Sequence, residues 1–185
     1  MNNKTKNLSD QLKKANALTA ANRPEIIALE QFTKVLNSKP KAENIKDRQG
    51  FKFLGISQIE NELDRLFAGL WQTNNLTWQI VANEICVNLE LQVFHPVAKT
   101  WLSRCGVGAC QIRQKAGAQI SDINAKIKNA LEMDLPHAKA DALKNAAKSL
   151  GDLFGRNLTR KDKDTTEYKP VLLDKLKTLN NANDK

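Results

Sequence analysis

The stretch Glu84 to Val93, EICVNLELQV, alternates without a break: Ile85, Val87, Leu89, Leu91 and Val93 fall on one side, Glu84, Cys86, Asn88, Glu90 and Gln92 on the other. A helix cannot gather such a pattern on one face, because its side chains recur about every 3.6 residues and those of a strand every second residue. The stretch is a half-buried strand, and a chain that contains it must supply partners along the strand's edges and a cover for its dry face. The flanks supply the partners. Leu76, Trp78, Ile80 and Ala82 alternate with Thr77, Gln79 and Val81, and Thr100 to Ala109 sets Trp101, Ser103, Cys105 and Val107 against Leu102, Arg104 and Gly106. Short connections, one of them a turn over residues 95–99, make the three an antiparallel meander. Gly106 and Gly108 lack side chains within the third strand, and such positions mark a bend or a close approach by another backbone.

The cover is expected from helices. Pro136 to Leu158, PHAKADALKNAAKSLGDLFGRNL, places Leu143, Ala147, Leu150 and Phe154 on one stripe, with Ala146 and Leu153 beside it. Pro136 suits a first helical turn, so the period predicts a helix opening there. On a neighbouring face Lys144 and Lys148 stand one turn apart, Arg156 lies two turns further, and Asp141 and Asp152 offset them in part. Such a face is either solvated surface or one wall of an anion-binding groove. Earlier in the chain, Ser57 is placed to cap a helix that buries Ile59, Leu63, Leu66 and Phe67, and Pro24 to open one with Ile26, Ile27, Leu29, Phe32, Val35 and Leu36. Ser121 or Asp122 is placed to cap a helix that buries Ile120, Ile123, Ile127 and Leu131 and closes at Pro136. Ser38 to Gly50 reads as a charged loop and Phe51 to Leu54 as a short strand. Ser9 opens a short N-terminal helix, and Val171 to Leu179 reads as a last short helix. The expected class is α+β: a meander of about three strands packed on a long alanine-rich helix, with helical N- and C-terminal extensions. The expected division is a helical arm and linker over 1–50, a core domain over 51–158, and a charged linker with a short helix over 159–185.

Charge narrows the partner. The 185 residues carry 29 Lys and Arg against 20 Asp and Glu, a formal net charge of +9. Such an excess attracts polyanions at long range and releases their counterions on contact, which makes nucleic acid the first candidate. No apolar run approaches the roughly 20 residues of a membrane span, and the N-terminus lacks a signal-peptide core, so a soluble, cytoplasmic protein is expected. Cys86, Cys105 and Cys110 show no CxxC spacing and read as buried small residues. His95 and His137 lack ligand-spaced companions, so neither metal nor cofactor is expected. A GxxxxGK[ST] phosphate loop and a GxSxG elbow are both missing, which argues against a nucleotide-driven motor and a serine nucleophile. Trp71, Trp78 and Trp101 invite base stacking, but Trp78 and Trp101 alternate in phase with apolar neighbours and are expected in the core.

The order of elements, together with DALKNAAKSLG at Asp141 to Gly151 and IENELDRLFAG at Ile59 to Gly69, resembles the single-strand annealing proteins of the Rad-fifty-two superfamily, which includes phage recombinases of the Sak and Red-beta kind. The resemblance covers roughly residues 51 to 158. It implies a phage or prophage protein that is not an enzyme: without ATP, a homo-oligomeric ring or filament binds single-stranded DNA and anneals complementary strands in recombination and repair. It maps Lys144 and Lys148 onto the family's basic helix positions. Asn145 and Gln58 depart from basic residues found there. Arg104, Arg113, Lys115 and Arg156, with Arg48 and Lys52, are added as DNA-binding candidates on charge and proximity alone. The C-terminal helix is a candidate dock for a phage exonuclease or a single-strand binding protein. Two other classes stay open: a structural assembly protein with a basic surface, and a metal-dependent nuclease.

Overall fold

A computed structural model describes residues 23–119, 121–160 and 167–169. The expected N-terminal helix near Ser9 and the C-terminal helix at Val171 to Leu179 lie outside the described residues. The chain divides into two compact units, Met1–Val35 with Tyr168–Lys185, and Leu36–Glu167. In the first, helix α1 (Arg23–Leu36) carries Pro24 in its first turn, as expected, and all but its last residue belongs to this unit. Among the described residues no helix is long and apolar enough to cross a membrane.

The second unit holds the α+β core. Strands β3 (Trp71–Val81), β4 (Glu84–His95) and β5 (Thr100–Gln111) form an antiparallel sheet in the order β3-β4-β5. All five apolar residues of the alternating stretch, Ile85, Val87, Leu89, Leu91 and Val93, are buried. Register sets Trp78 and Gly108 opposite Val87, and Ile80 opposite Ile85, so these side chains share the dry face. A bulge between Asn74 and Thr77, with Asn75 at a positive φ, interrupts β3. The β3–β4 turn is fastened by Asn83, which is buried, donates through Nδ2 to the Ile112 carbonyl at 3.2 Å, and accepts the Ile112 amide on its own carbonyl at 2.8 Å.

Helix α3 (Ala130–Lys148) covers the dry face over β4 and β5. Its small stripe, Ala138, Ala142 and Ala146, is wholly buried. The approach is backbone to backbone: a Cβ on Gly106 would collide with the Ala142 carbonyl, and one on Gly108 with the Ala138 carbonyl. Helix α2 (Ile56–Phe67) buries Ile59, Leu63 and Phe67 as expected.

Several local expectations change. Pro136 lies inside α3 rather than at its start, and the helix ends at Lys148; Leu150, Leu153 and Phe154 are buried by the following turns, among them the 3-10 turn Asp152–Phe154. Proline is tolerated there because it sits on the exposed side of a helix whose alanine stripe is pinned to the sheet. Gly151 is not helical but extended, and lies so close to the Leu36 carbonyl that no Cβ would fit. Asp122 caps a 3-10 turn, accepting from the Asn124 amide at 3.0 Å, not an α-helix. Gly55, not Ser57, holds the N-cap of α2. The segment read as a loop contains strand β1 (Ile45–Arg48), which pairs with β2 (Phe51–Leu54) in a tight hairpin. Trp78 and Trp101 are 53% and 49% exposed instead of buried, because α3 does not reach over β3 and Trp101 is on the wet face; Cys105 is exposed for the same reason.

Candidate nucleic-acid interface

Two basic residues of α3, Lys144 and Lys148, meet residues of the β1–β2 hairpin on one cleft. Lys144 and Lys148 project one helical turn apart, and β2 brings Lys52 and Phe53 to the facing wall. The cleft encloses about 250 Å³ over a floor that includes Leu54, Ile59 and Phe154. Among the described residues, three ammonium groups and a single carboxylate, Asp141, line it. Proximity of that kind raises the local potential, because low-dielectric walls focus the field of like charges.

Lys144 and Lys148 are each held by a neighbour. Lys144 Nζ lies 2.5 Å from Asp141 Oδ1 and 5.9 Å from the centre of the Phe53 ring, where the ammonium meets the negative face of the π-system. Lys148 donates to Asn145 Oδ1 at 3.1 Å, and Asn145 in turn donates through Nδ2 to the Val107 carbonyl of β5 at 2.8 Å. Asn145, the departure from the family's basic pattern, is thus a strut between the helix, the edge strand and Lys148. Burial holds the Lys148 amine below the usual lysine range, and the Lys144 charge lowers it further; Asp141 opposes both.

The other candidates disperse. Arg48 sits at the tip of β1, opposite Phe51, on the hairpin next to the cleft. Arg156 does not line the cleft: Nε donates to the Lys148 carbonyl at 3.0 Å, Nη2 to the Ser149 carbonyl at 3.0 Å, and Nη1 to Asn37 Oδ1 at 3.4 Å, so its guanidinium caps the end of α3. Arg113 pairs through Nε with Asp134 Oδ1 at 2.9 Å, and its amide donates to Asp134 Oδ2 at 2.8 Å; the buried carboxylate is satisfied by one residue twice. Arg104 lies on the dry face of β5 opposite Leu91 and donates to the Ser103 carbonyl at 2.7 Å. Lys115 is exposed in the loop after β5, where its amide donates to the Ala125 carbonyl at 2.9 Å. These four are not among the residues lining the cleft.

Sequence reasoning missed Phe53, Asn145 as a strut, and Lys46 and Phe51 on the hairpin. The available signal was the run IKDRQGFKFL, in which cations and phenyl groups alternate about a two-residue Gln-Gly turn. Among the described residues no group of three or more His, Cys, Asp or Glu is placed to hold a metal ion. The chain matches no known family model and no curated protein.

Proposed function

We propose that the protein binds single-stranded DNA along the lysine cleft and anneals complementary strands without ATP, as a homo-oligomeric ring or filament acting in phage-type recombination. The observation that carries this reading is the convergence of Lys52, Lys144 and Lys148, from elements far apart in sequence, on one cleft of a chain with a net charge of +9. Phosphates would sit on the ammonium groups, and pairing of the exposed bases would itself supply the free energy of annealing, so that no fuel and no catalytic residue is needed. A second reading, an assembly protein with a basic surface, draws support from the exposed apolar side chains of β3.

Annealing of complementary oligonucleotides without nucleotide or metal tests the proposal, read as fluorescence transfer between labelled strands. The wild-type chain is expected to accelerate pairing; a protein that binds both strands and leaves the rate unchanged defeats it. The double variant Lys144→Gln/Lys148→Gln is expected to weaken binding to every sequence alike and to reduce the slope of log affinity against log salt by about 1.4, since each phosphate contact on a single strand contributes about 0.7.

A further inference from the structure

The hairpin beside the cleft carries a second pattern. Strands β1 and β2 are joined by Gln49 and Gly50, both at positive φ, with Asp47 Oδ1 accepting the Gly50 amide at 2.9 Å. This two-residue turn matches the twist of the strands and holds the tip in one register: Arg48 opposite Phe51, Asp47 opposite Lys52, Lys46 opposite Phe53. Directly opposed residues share a face, and so do residues two apart along a strand. Lys46, Arg48, Phe51 and Phe53 therefore occupy one face of the ribbon, two cations and two phenyl groups, while the carboxylate of Asp47 belongs to the other.

Phe51 is 70% exposed, an unusual position for a phenyl group with no role in the core. Phe53 is half-buried and leads into the cleft through its contact with the Lys144 ammonium. We infer that this face stacks two successive unpaired bases, one on Phe51 and one on Phe53, with Lys46 and Arg48 neutralising the phosphates that flank them. The inference rests on the single-strand reading of the neighbouring cleft and adds to it a means of telling single strands from duplex. Residues two apart on a strand are separated by about 6.8 Å. Bases within duplex DNA are separated by about 3.4 Å along each strand. Two rings at the wider spacing can each take a base only from a strand that is stretched and unpaired. Charge complementarity selects nucleic acid over an apolar protein partner, because the rings are flanked by cations on their own face.

Phe51→Leu separates stacking from hydrophobic contact, since leucine retains apolar surface but has no π-face. Its exposure means that the substitution leaves the core untouched. Binding of the full chain is measured by fluorescence anisotropy to a labelled oligothymidylate and to an abasic deoxyribose-phosphate oligomer of equal length. The variant is expected to lose about tenfold in affinity for oligothymidylate, a typical cost of one lost stacking partner, with affinity for the abasic oligomer unchanged. Phe51→Trp is expected to restore the oligothymidylate affinity. A variant that binds both oligomers like wild type, or that loses equally on both, overturns the inference while leaving the cleft in place. Wild-type protein that binds neither oligomer overturns the single-strand reading itself, and this inference with it.

Discussion

Gly106 and Gly108 join the sheet to α3 so closely that the carbonyl oxygens of Ala142 and Ala138 occupy the space a side chain would need. Backbone cannot swing aside as the end of a flexible side chain can, so a methyl group at either position must push the helix off the sheet. Gly108→Ala is expected to destabilise the protein by at least about 2 kcal/mol, seen as a lower denaturant midpoint; an unchanged midpoint would mean the helix rides further from β5 than described. Gly108 also lines the lysine cleft, so on the single-strand reading the displaced helix would disturb the cleft and weaken binding in the same variant. The sequence narrowed these glycines to a bend or a close approach by another backbone, and the packed helix shows the second. What approached was not legible. Likewise Lys144 and Lys148 could be assigned to one helical face from their spacing alone, whereas Asn145 looked only like a missing charge. Its bonds to Val107 and Lys148 join residues 38 and 3 positions away, and the first of these exists only once the helix is laid on the sheet.

At the level of elements, the strands were the most readable parts, since period-two alternation survives whatever packs above it. Helix limits were not. Pro136 reads as a helix start on local rules, yet the burial of Ala138, Ala142 and Ala146 outweighs the missing hydrogen bond, and the helix runs through it. The hairpin was hidden because Lys46, Asp47 and Arg48 give β1 no apolar alternation; its pairing is set by the Gln49-Gly50 turn. A turn also governs the expected acid response. His95 closes β4, is buried, and accepts the amides of Val97 and Ala98 on Nδ1 at 3.3 and 3.0 Å. Burial lowers its pKa below the usual 6.5, and a hydrogen bond with its own backbone opposes that only in part. Folding therefore favours the neutral ring: the stabilisation is fully present above about pH 6.5 and is lost as pH falls through the lower folded-state value. Thermal unfolding between pH 7.5 and pH 5 should show a drop in Tm that is smaller in His95→Asn, whose amide oxygen can accept the same two amides without titrating. Equal drops would place the acid sensitivity elsewhere.

Across the whole molecule the dry face of the sheet is only partly dry. Register puts Trp78 and Ile80 of β3 on the same side as Val87 and Ile85, but α3 lies over β4 and β5, and Trp78 and Ile80 remain 53% and 39% exposed, with Leu76 beside them at 49%. β3 is also an edge strand, which natural proteins rarely leave both open and apolar. A ring or filament is built from head-to-tail contacts, which join two different patches rather than one patch to itself. The second unit carries another apolar spot at the start of α3, where Leu131 and Met133 are exposed. On the oligomeric reading, the face of β3 would meet such a spot of the next copy, and an assembly of copies would hold a longer strand than one cleft can. Trp78→Glu places a charge in the middle of that contact, on a side chain the isolated fold already leaves open. Sedimentation velocity at micromolar concentration should find wild-type protein assembled and the variant monomeric, with matching circular dichroism. The variant should still bind a short oligonucleotide, with its lysine cleft intact, yet lose the advantage on long strands that an array of clefts confers. Wild-type protein that sediments as a monomer with and without single-stranded DNA would remove the assembly from the proposal and leave the exposed tryptophan to be explained by another partner.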